Sequence, residues 1–543
     1  MKHQTQKIEL QIDDPWPLWH LHRPRSGANH ENPPSAFWGK GGMGGLGQPR
    51  ALASLLFLCL LFLAACSATA PFQISTSPDE VRSCRNLLGR LDREIEEAGH
   101  TDASASRVPG FPYLRANRFL SALKKDLRDA DQRQQWVEWM EELSLISREK
   151  EIRNLPDQAI FSLLGEDKGE ADRETLSSRV ASCSRTLLRN DQEDPVFYST
   201  LQEAVDVPDE YSSLRRIVGL YPLFVLPIAV ATRNAKNKAG SWYEGDMEAL
   251  PVDGQLRTLI PPQEGSLTHQ EVREMIESSR KNPLRVPRPQ PALLKVLVQS
   301  FAPLFVQDTV APYDRIGRVK WKGNRIEVDP EKPTVYYYLS HALLKKEPIL
   351  QINYAVWYPE RAGDRPPSIE KGFLDGLTVR VSLDSRGNPF MVDIINNCGC
   401  YHLFSPLEER VECIKSYSTR PDPFVPQWLP ELPRGKRLGI RINSGWHQVE
   451  RLFPAEEFLD PVPYELMSYD VLEALPREGG GAESMFDARG IAKNSERKER
   501  FILFSMGIPS IGSMRQRGHH AIELIGRSHF DDPDLFDTYF FFK

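Results

Sequence analysis

The sequence predicts an α+β protein, with an α-helical N-terminal half and a mostly antiparallel, β-rich C-terminal half. Three observations carry this expectation. Apolar residues recur at helical spacing from about residue 77 to about residue 280, the proline-rich segment NPLRVPRPQ at 282–290 breaks that pattern, and beyond it the period changes to two between short polar turns. A chain of 543 residues, 40% apolar and 26% charged, is long enough for two or three folded units. Its 68 Lys and Arg against 74 Asp and Glu give a net charge of -6 with no basic tract, so no nucleic-acid partner is expected.

The elements follow in chain order. Residues 51–65, ALASLLFLCLLFLAA, form an apolar run preceded by Arg50 and followed by Cys66. The run falls short of the roughly 20 residues of a membrane-spanning helix but suits the core of a signal peptide. Leu63, Ala64, Ala65 and Cys66 resemble a bacterial lipobox, in which the cysteine thiol receives a diacylglycerol before cleavage. Cys66 is then the lipidation site and the membrane anchor. Ser67 follows it, and in the lipoproteins this resembles, the absence of Asp there favours the outer membrane, facing the periplasm. Met43 supplies a start with a short, singly basic leader. Residues 1–42 therefore read as an upstream extension from a misassigned start, and residues 43–66 as the signal peptide.

Residues 67–285 read as the helical domain. Ser77, Pro78, Asp79 and Glu80 look like a cap and acidic first turn, leading into Val81, Cys84, Leu87, Leu88 and Leu91 at helical spacing up to Gly99. A second helix is expected after Gly110, through Leu114, Phe119, Leu120, Leu123 and Leu127. A third spans residues 134–150 and a fourth 174–188. The apolar stretch IVGLYPLFVLPIAV at 217–230 is interrupted by Pro222 and Pro227, and the favoured expectation is a buried connector; a surface facing the membrane or a partner is the alternative. Cys84 and Cys183 fall on two of the predicted helices, and an oxidising compartment allows a disulfide between them.

Residues 286–543 read as the β-rich domain. Alternation over 351–357 and 377–383, a turn at 384–388 and a return strand at 390–395 predict a hairpin. A second hairpin is drawn through Leu438, Ile440 and Ile442, a turn at 443–445, and His447, Val449 and Arg451. A helical annex is expected around 500–525.

The most unusual cluster is Cys398-Gly399-Cys400-Tyr401-His402. In an extended backbone, residues two apart share a face, so Cys398, Cys400 and His402 would line up as soft ligands for zinc or copper, with His447 or His520 completing the set. His529 is a further candidate, and the acidic string Asp531, Asp532, Asp534 and Asp537 could hold a hard cation. The rivals are a structural disulfide from Cys398 or Cys400 to Cys413 and a reactive thiol pair. If the metal were catalytic it would activate water for hydrolysis, with Glu523 as base.

Stretches LQINYAVWYPER (350–361), LDGLTVRVSLD (374–384), INNCGCYHLFSP (395–406), GRSHFDDPDL (526–535) and FPYLRANRFL (111–120) resemble a family of proteobacterial proteins carrying the CGCYH motif, many of them predicted lipoproteins. The family has no established activity, so the resemblance implies an envelope setting and no catalytic residues. Two functions remain in view: a lipid-anchored envelope protein with a metal-binding CxCxH site, and a non-enzymatic lipoprotein that docks an envelope partner and whose cysteines form disulfides.

Overall fold

A computed structural model of the chain describes residues 79–543 apart from 166–171, 263–264, 418–419, 433–435 and 456–460. The upstream extension, the signal peptide and Cys66 lie outside the described residues. The N-terminal part is helical and the C-terminal part is built of mostly antiparallel strands. Helix α1 (Asp79–Ala98) buries Val81, Cys84, Leu88, Leu91 and Ile95 on one stripe. A small hairpin follows, β1 (Ser106–Val108) with β2 (Phe111–Ala116). The second predicted helix is therefore corrected: its first half is β2, paired with β1, and only α2 (Arg118–Leu123), capped by the Asn117 side chain, is helical. Leu114 is buried within that strand. Helices α3 (Ala130–Asn154), α4 (Asp157–Leu164), α5 (Arg173–Gln192) and α6 (Phe197–Ala204) complete a core around Trp136, Ile160, Leu176 and Leu201. Cys84 and Cys183 are joined by a disulfide that ties α1 to α5.

Helices α7 (Ser213–Val218) and α8 (Tyr221–Ser241) occupy the apolar stretch expected to be a buried connector. Neither has a buried residue, so that expectation is overturned. The helix also runs through both prolines: Pro222 stands in the first turn, where no backbone donor is needed, and Pro227 gives up a single bond.

Strand β3 (Gln255–Ile260) precedes α9 (His269–Ser279), whose start is a capping box of Thr268 and Glu271. Helix α10 (Pro291–Phe301) leads into β4 (Leu304–Thr309). The hairpin β5 (Arg318–Lys322) and β6 (Arg325–Asp329) precedes the long strands β7 (Thr334–Leu344), β8 (Glu347–Arg361), β9 (Gly372–Leu383) and β10 (Pro389–Asn396). After them come β11 (Leu403–Pro406), β12 (Val411–Ile414), β13 (Leu438–Ile442), β14 (Val449–Pro454), β15 (Val462–Pro463) and β16 (Glu465–Ser468). A six-stranded sheet has the order β11-β10-β9-β8-β7-β16, and a five-stranded sheet the order β14-β13-β4-β3-β15. Both predicted hairpins form, β9 with β10 and β13 with β14.

Strand β8 is buried on both faces, which explains its apolar run. Ile352, Tyr354, Val356 and Tyr358 pack with β4, β13, α9 and α10, whereas Ala355 and Trp357 face the β5-β6 hairpin and Phe486. The expected helical annex is reduced to Glu499–Ile502 and one short 3-10 turn; the rest is irregular chain held by polar contacts. All described residues fall in one compact unit.

A candidate thiol site beneath helix α8

The CGCYH segment forms the connection from β10 to β11, not an extended strand. The Gly399 amide donates to the Asn396 carbonyl at 2.8 Å, and the Asn396 amide donates to the Cys400 carbonyl at 3.1 Å. Gly399 has φ +91, and a Cβ there would stand 2.6 Å from the Ala521 carbonyl oxygen, so both the turn and the close approach require glycine. Tyr401 also has positive φ. The expected row of Cys398, Cys400 and His402 on one strand face is therefore corrected, because the backbone reverses between them. Neighbouring bonds fix the turn: the Asn397 amide side chain donates to the Val356 carbonyl at 3.1 Å and accepts from the Thr378 hydroxyl at 2.8 Å.

Cys398 is buried, Cys400 is partly buried, and both are free thiols. They nevertheless line one cavity of about 320 Å³, together with His402, Glu370, Glu499 and Glu523. One wall is α8, through Ile228, Thr232, Ala235 and Lys236, and much of the remaining lining is apolar, including Phe404, Phe424, Leu503 and Ile525. Interaction with the neighbouring Cys400 thiol, with the Arg361 guanidinium nearby, lowers the Cys398 thiol despite its burial. The same contact, with burial, pushes Cys400 well up. Burial and the charges of Cys398 and Glu370 raise Glu499 to about 8, so its carboxyl is protonated at neutral pH.

Arg361 is fixed behind the thiols. It makes two 2.9 Å bonds to Asp375 and one of 2.8 Å to Glu370. Glu370 also accepts from Tyr401 at 2.7 Å and from Trp446 at 2.9 Å. Arg497 donates to the Phe373 carbonyl at 2.6 Å, and burial lowers its pKa from the usual guanidinium value, with Asp375 opposing and Arg361 adding to that shift.

The other candidate ligands are placed apart. His402 lines the cavity, but its Nε2 lies 2.9 Å from Asp393, which is itself held by Arg380. His447 is fully buried between Asp375 and Asp314 and stacks on Tyr358. His520 is buried with neither ring nitrogen in a hydrogen bond of normal geometry. His529 is engaged with Asp209 and Asp532. Three of the four residues of the acidic string are spent on separate partners: Asp531 accepts from the Gly518 amide, Asp532 from the His529 amide and Asp537 from the Lys345 amide. Among the described residues, no three His, Cys, Asp or Glu side chains gather as a metal site. Cys413 stands on β12 opposite Phe541, so neither Cys398 nor Cys400 pairs with it.

Glu523 does reach the cavity, where it accepts from Tyr539. Arg361 and Glu499 had no distinguishing signal in the sequence. Arg361 closes a strand and Glu499 sits in a run of charges, and folding alone brings them to the thiols. No family model, curated protein or solved structure matches the chain.

Proposed function

We propose that the chain is a lipid-anchored envelope protein whose cavity holds an apolar acyl group against Cys398, which attacks it as a nucleophile. One observation carries this: the Cys398 and Cys400 thiols and the Glu499 carboxyl face the same largely apolar cavity. A thiolate, a neutral acid and an apolar pocket are the parts acyl transfer from an ester requires. The Cys398 sulfur attacks the ester carbonyl carbon, a carbon–sulfur bond forms and the carbon–oxygen bond breaks. The departing alkoxide takes its proton from Glu499. The ionised Glu499 then removes a proton from water, whose oxygen attacks the thioester; the carbon–sulfur bond breaks, and Cys398 leaves as thiolate. Cys400 acts through Cys398, as the donor that holds its charge. The lipid anchor rests on the residues around Cys66.

The test is mass mapping after incubation with p-nitrophenyl esters of increasing chain length. An acyl adduct is expected on the Cys398 peptide, absent in Cys398→Ser, and Glu499→Gln is expected to slow turnover on the order of 100-fold. No adduct at any chain length, or undiminished turnover in Cys398→Ser, sinks the proposal. A zinc or copper site is the second reading, favoured by the convergence of Cys398 and Cys400. Elemental analysis finding a transition metal lost on Cys400→Ser would transfer the assignment to it.

A further inference from the structure

Helices α7 and α8 leave a large apolar surface uncovered. Leu214, Ile217, Leu223 and Leu226 are each about 70% exposed, and Val218, Leu220, Phe224 and Val230 are exposed beside them. The surface continues onto Phe501 and Ile502, because α7 is bonded to that segment: the Ser212 amide donates to the Gly507 carbonyl at 2.8 Å, and Arg216 donates to the Met506 carbonyl at 3.0 Å. Soluble chains rarely leave contiguous apolar area of this extent to water.

Charge identifies what covers it. From Ser213 to Ser241 there is no Asp or Glu, whereas Arg215, Arg216, Arg233, Lys236 and Lys238 are all basic, in a chain whose net charge is -6. Lys498 and Arg500 flank the second part of the patch. Arg216 is spent on the Met506 and Gly526 carbonyls, and Lys236 on the Asp422 carbonyl at the cavity wall. Arg233, Lys238, Lys498 and Arg500 are exposed, and apolar side chains flanked by such cations suit the headgroup region of an anionic bilayer, where the apolar face enters the acyl boundary and the cations meet phosphates. No described helix is long and apolar enough to cross a membrane, so this one would lie along the surface. Its opposite side, through Ile228, Thr232 and Ala235, is a wall of the thiol cavity.

We propose that α7 and α8 dock on an anionic phospholipid surface and set the cavity against it, so that the group presented to Cys398 is the acyl chain of a membrane lipid. The substrate class rests on the nucleophilic reading of Cys398; the docking rests on α7 and α8 alone.

The test uses the full chain on vesicles of phosphatidylethanolamine and phosphatidylglycerol that carry a lipid photoactivatable in its acyl chain, with peptide mapping after illumination. Adducts are expected within 213–231 and 500–504. They are expected to fall about tenfold in Leu223→Glu/Leu226→Glu, whose side chains face water, and on vesicles of phosphatidylcholine. Adducts confined to residues 43–78, or unchanged in the double variant, overturn the docking. So do chain-to-chain crosslinks through α7 and α8 formed without vesicles, which assign the surface to a second copy. Acylation of Cys398 by a soluble ester is read in the same samples. Its survival in the double variant shows an intact fold, and its absence in a chain that still docks sinks the nucleophile and leaves the membrane surface standing.

Discussion

His447 lies outside the cavity lining, buried between two carboxylates. Its backbone has φ +54 in the β13-β14 turn, its side chain is fully buried, and its ring nitrogens lie 2.7 Å from Asp375 and 3.2 Å from Asp314. Burial opposes its charge, but the hydrogen bonds to both carboxylates prevail, and its pKa is raised above 6.5. A raised folded pKa means that the contribution to stability is fully present below about pH 6.5 and is lost as pH rises through the folded value. Thermal midpoints of the wild type should therefore fall between about pH 6 and pH 9, and the fall should shrink in His447→Gln. An identical slope in both would disprove the assignment. The sequence offered His447 as one of several candidate partners for the two thiols, but it could not show that His447 is spoken for by two aspartates distant in sequence. Nor did period-two spacing warn that Gly399 and Tyr401 would turn the backbone and break the row of Cys398, Cys400 and His402 on one strand face.

At the scale of elements, the disulfide from α1 to α5 closes a loop with a sequence separation of 99. Chain entropy sets a ceiling of about 4.7 kcal/mol for a loop of that size, and a loss of about 2 to 4 kcal/mol is expected for Cys183→Ser, measured as a lower urea midpoint. Helices α1 and α8 should respond oppositely to truncation. Leu88→Ala removes a wholly buried side chain and should cost about 2 to 5 kcal/mol. Leu223→Ala, on the exposed face, should stay within about 0.5 kcal/mol of wild type in solution. Helical spacing made α1, α3 and α5 legible because each buries a stripe. It misjudged residues 111–116, where pairing with β1 overrides the pattern, and residues 217–230, where apolar character was equated with burial.

The whole molecule is joined by a buried ionic network between the helical part and the C-terminal chain. Lys150 pairs with Glu473 at 2.5 Å, Asn154 donates to the Glu473 carbonyl at 2.9 Å, and Arg517 grips the same carboxylate at 3.0 and 2.6 Å. Gln516 bridges Glu473 at 2.8 Å and Asp102 at 2.9 Å. Glu473→Ala would strand Lys150 and Arg517 without their shared carboxylate, at a cost of about 3 to 5 kcal/mol in denaturant titrations. Burial alone would raise Asp102, but Lys150, Arg115 and the Ser104 amide outweigh it and lower its pKa to about 2. Its contribution, of order 2 kcal/mol, is present above about pH 4 and lost as pH falls toward 2, so acid unfolding should begin earlier in the wild type than in Asp102→Asn relative to each protein's neutral-pH stability. The α+β order, the main helices, both hairpins and the residues from which a thiol site could be made are written in local pattern, because periodicity and turn chemistry act over a few neighbours. Long-range packing alone sets Arg361, Glu499 and α8 around those thiols and turns the second most apolar stretch of the chain outward. Those facts depend on contacts between residues far apart in sequence, which no local pattern encodes.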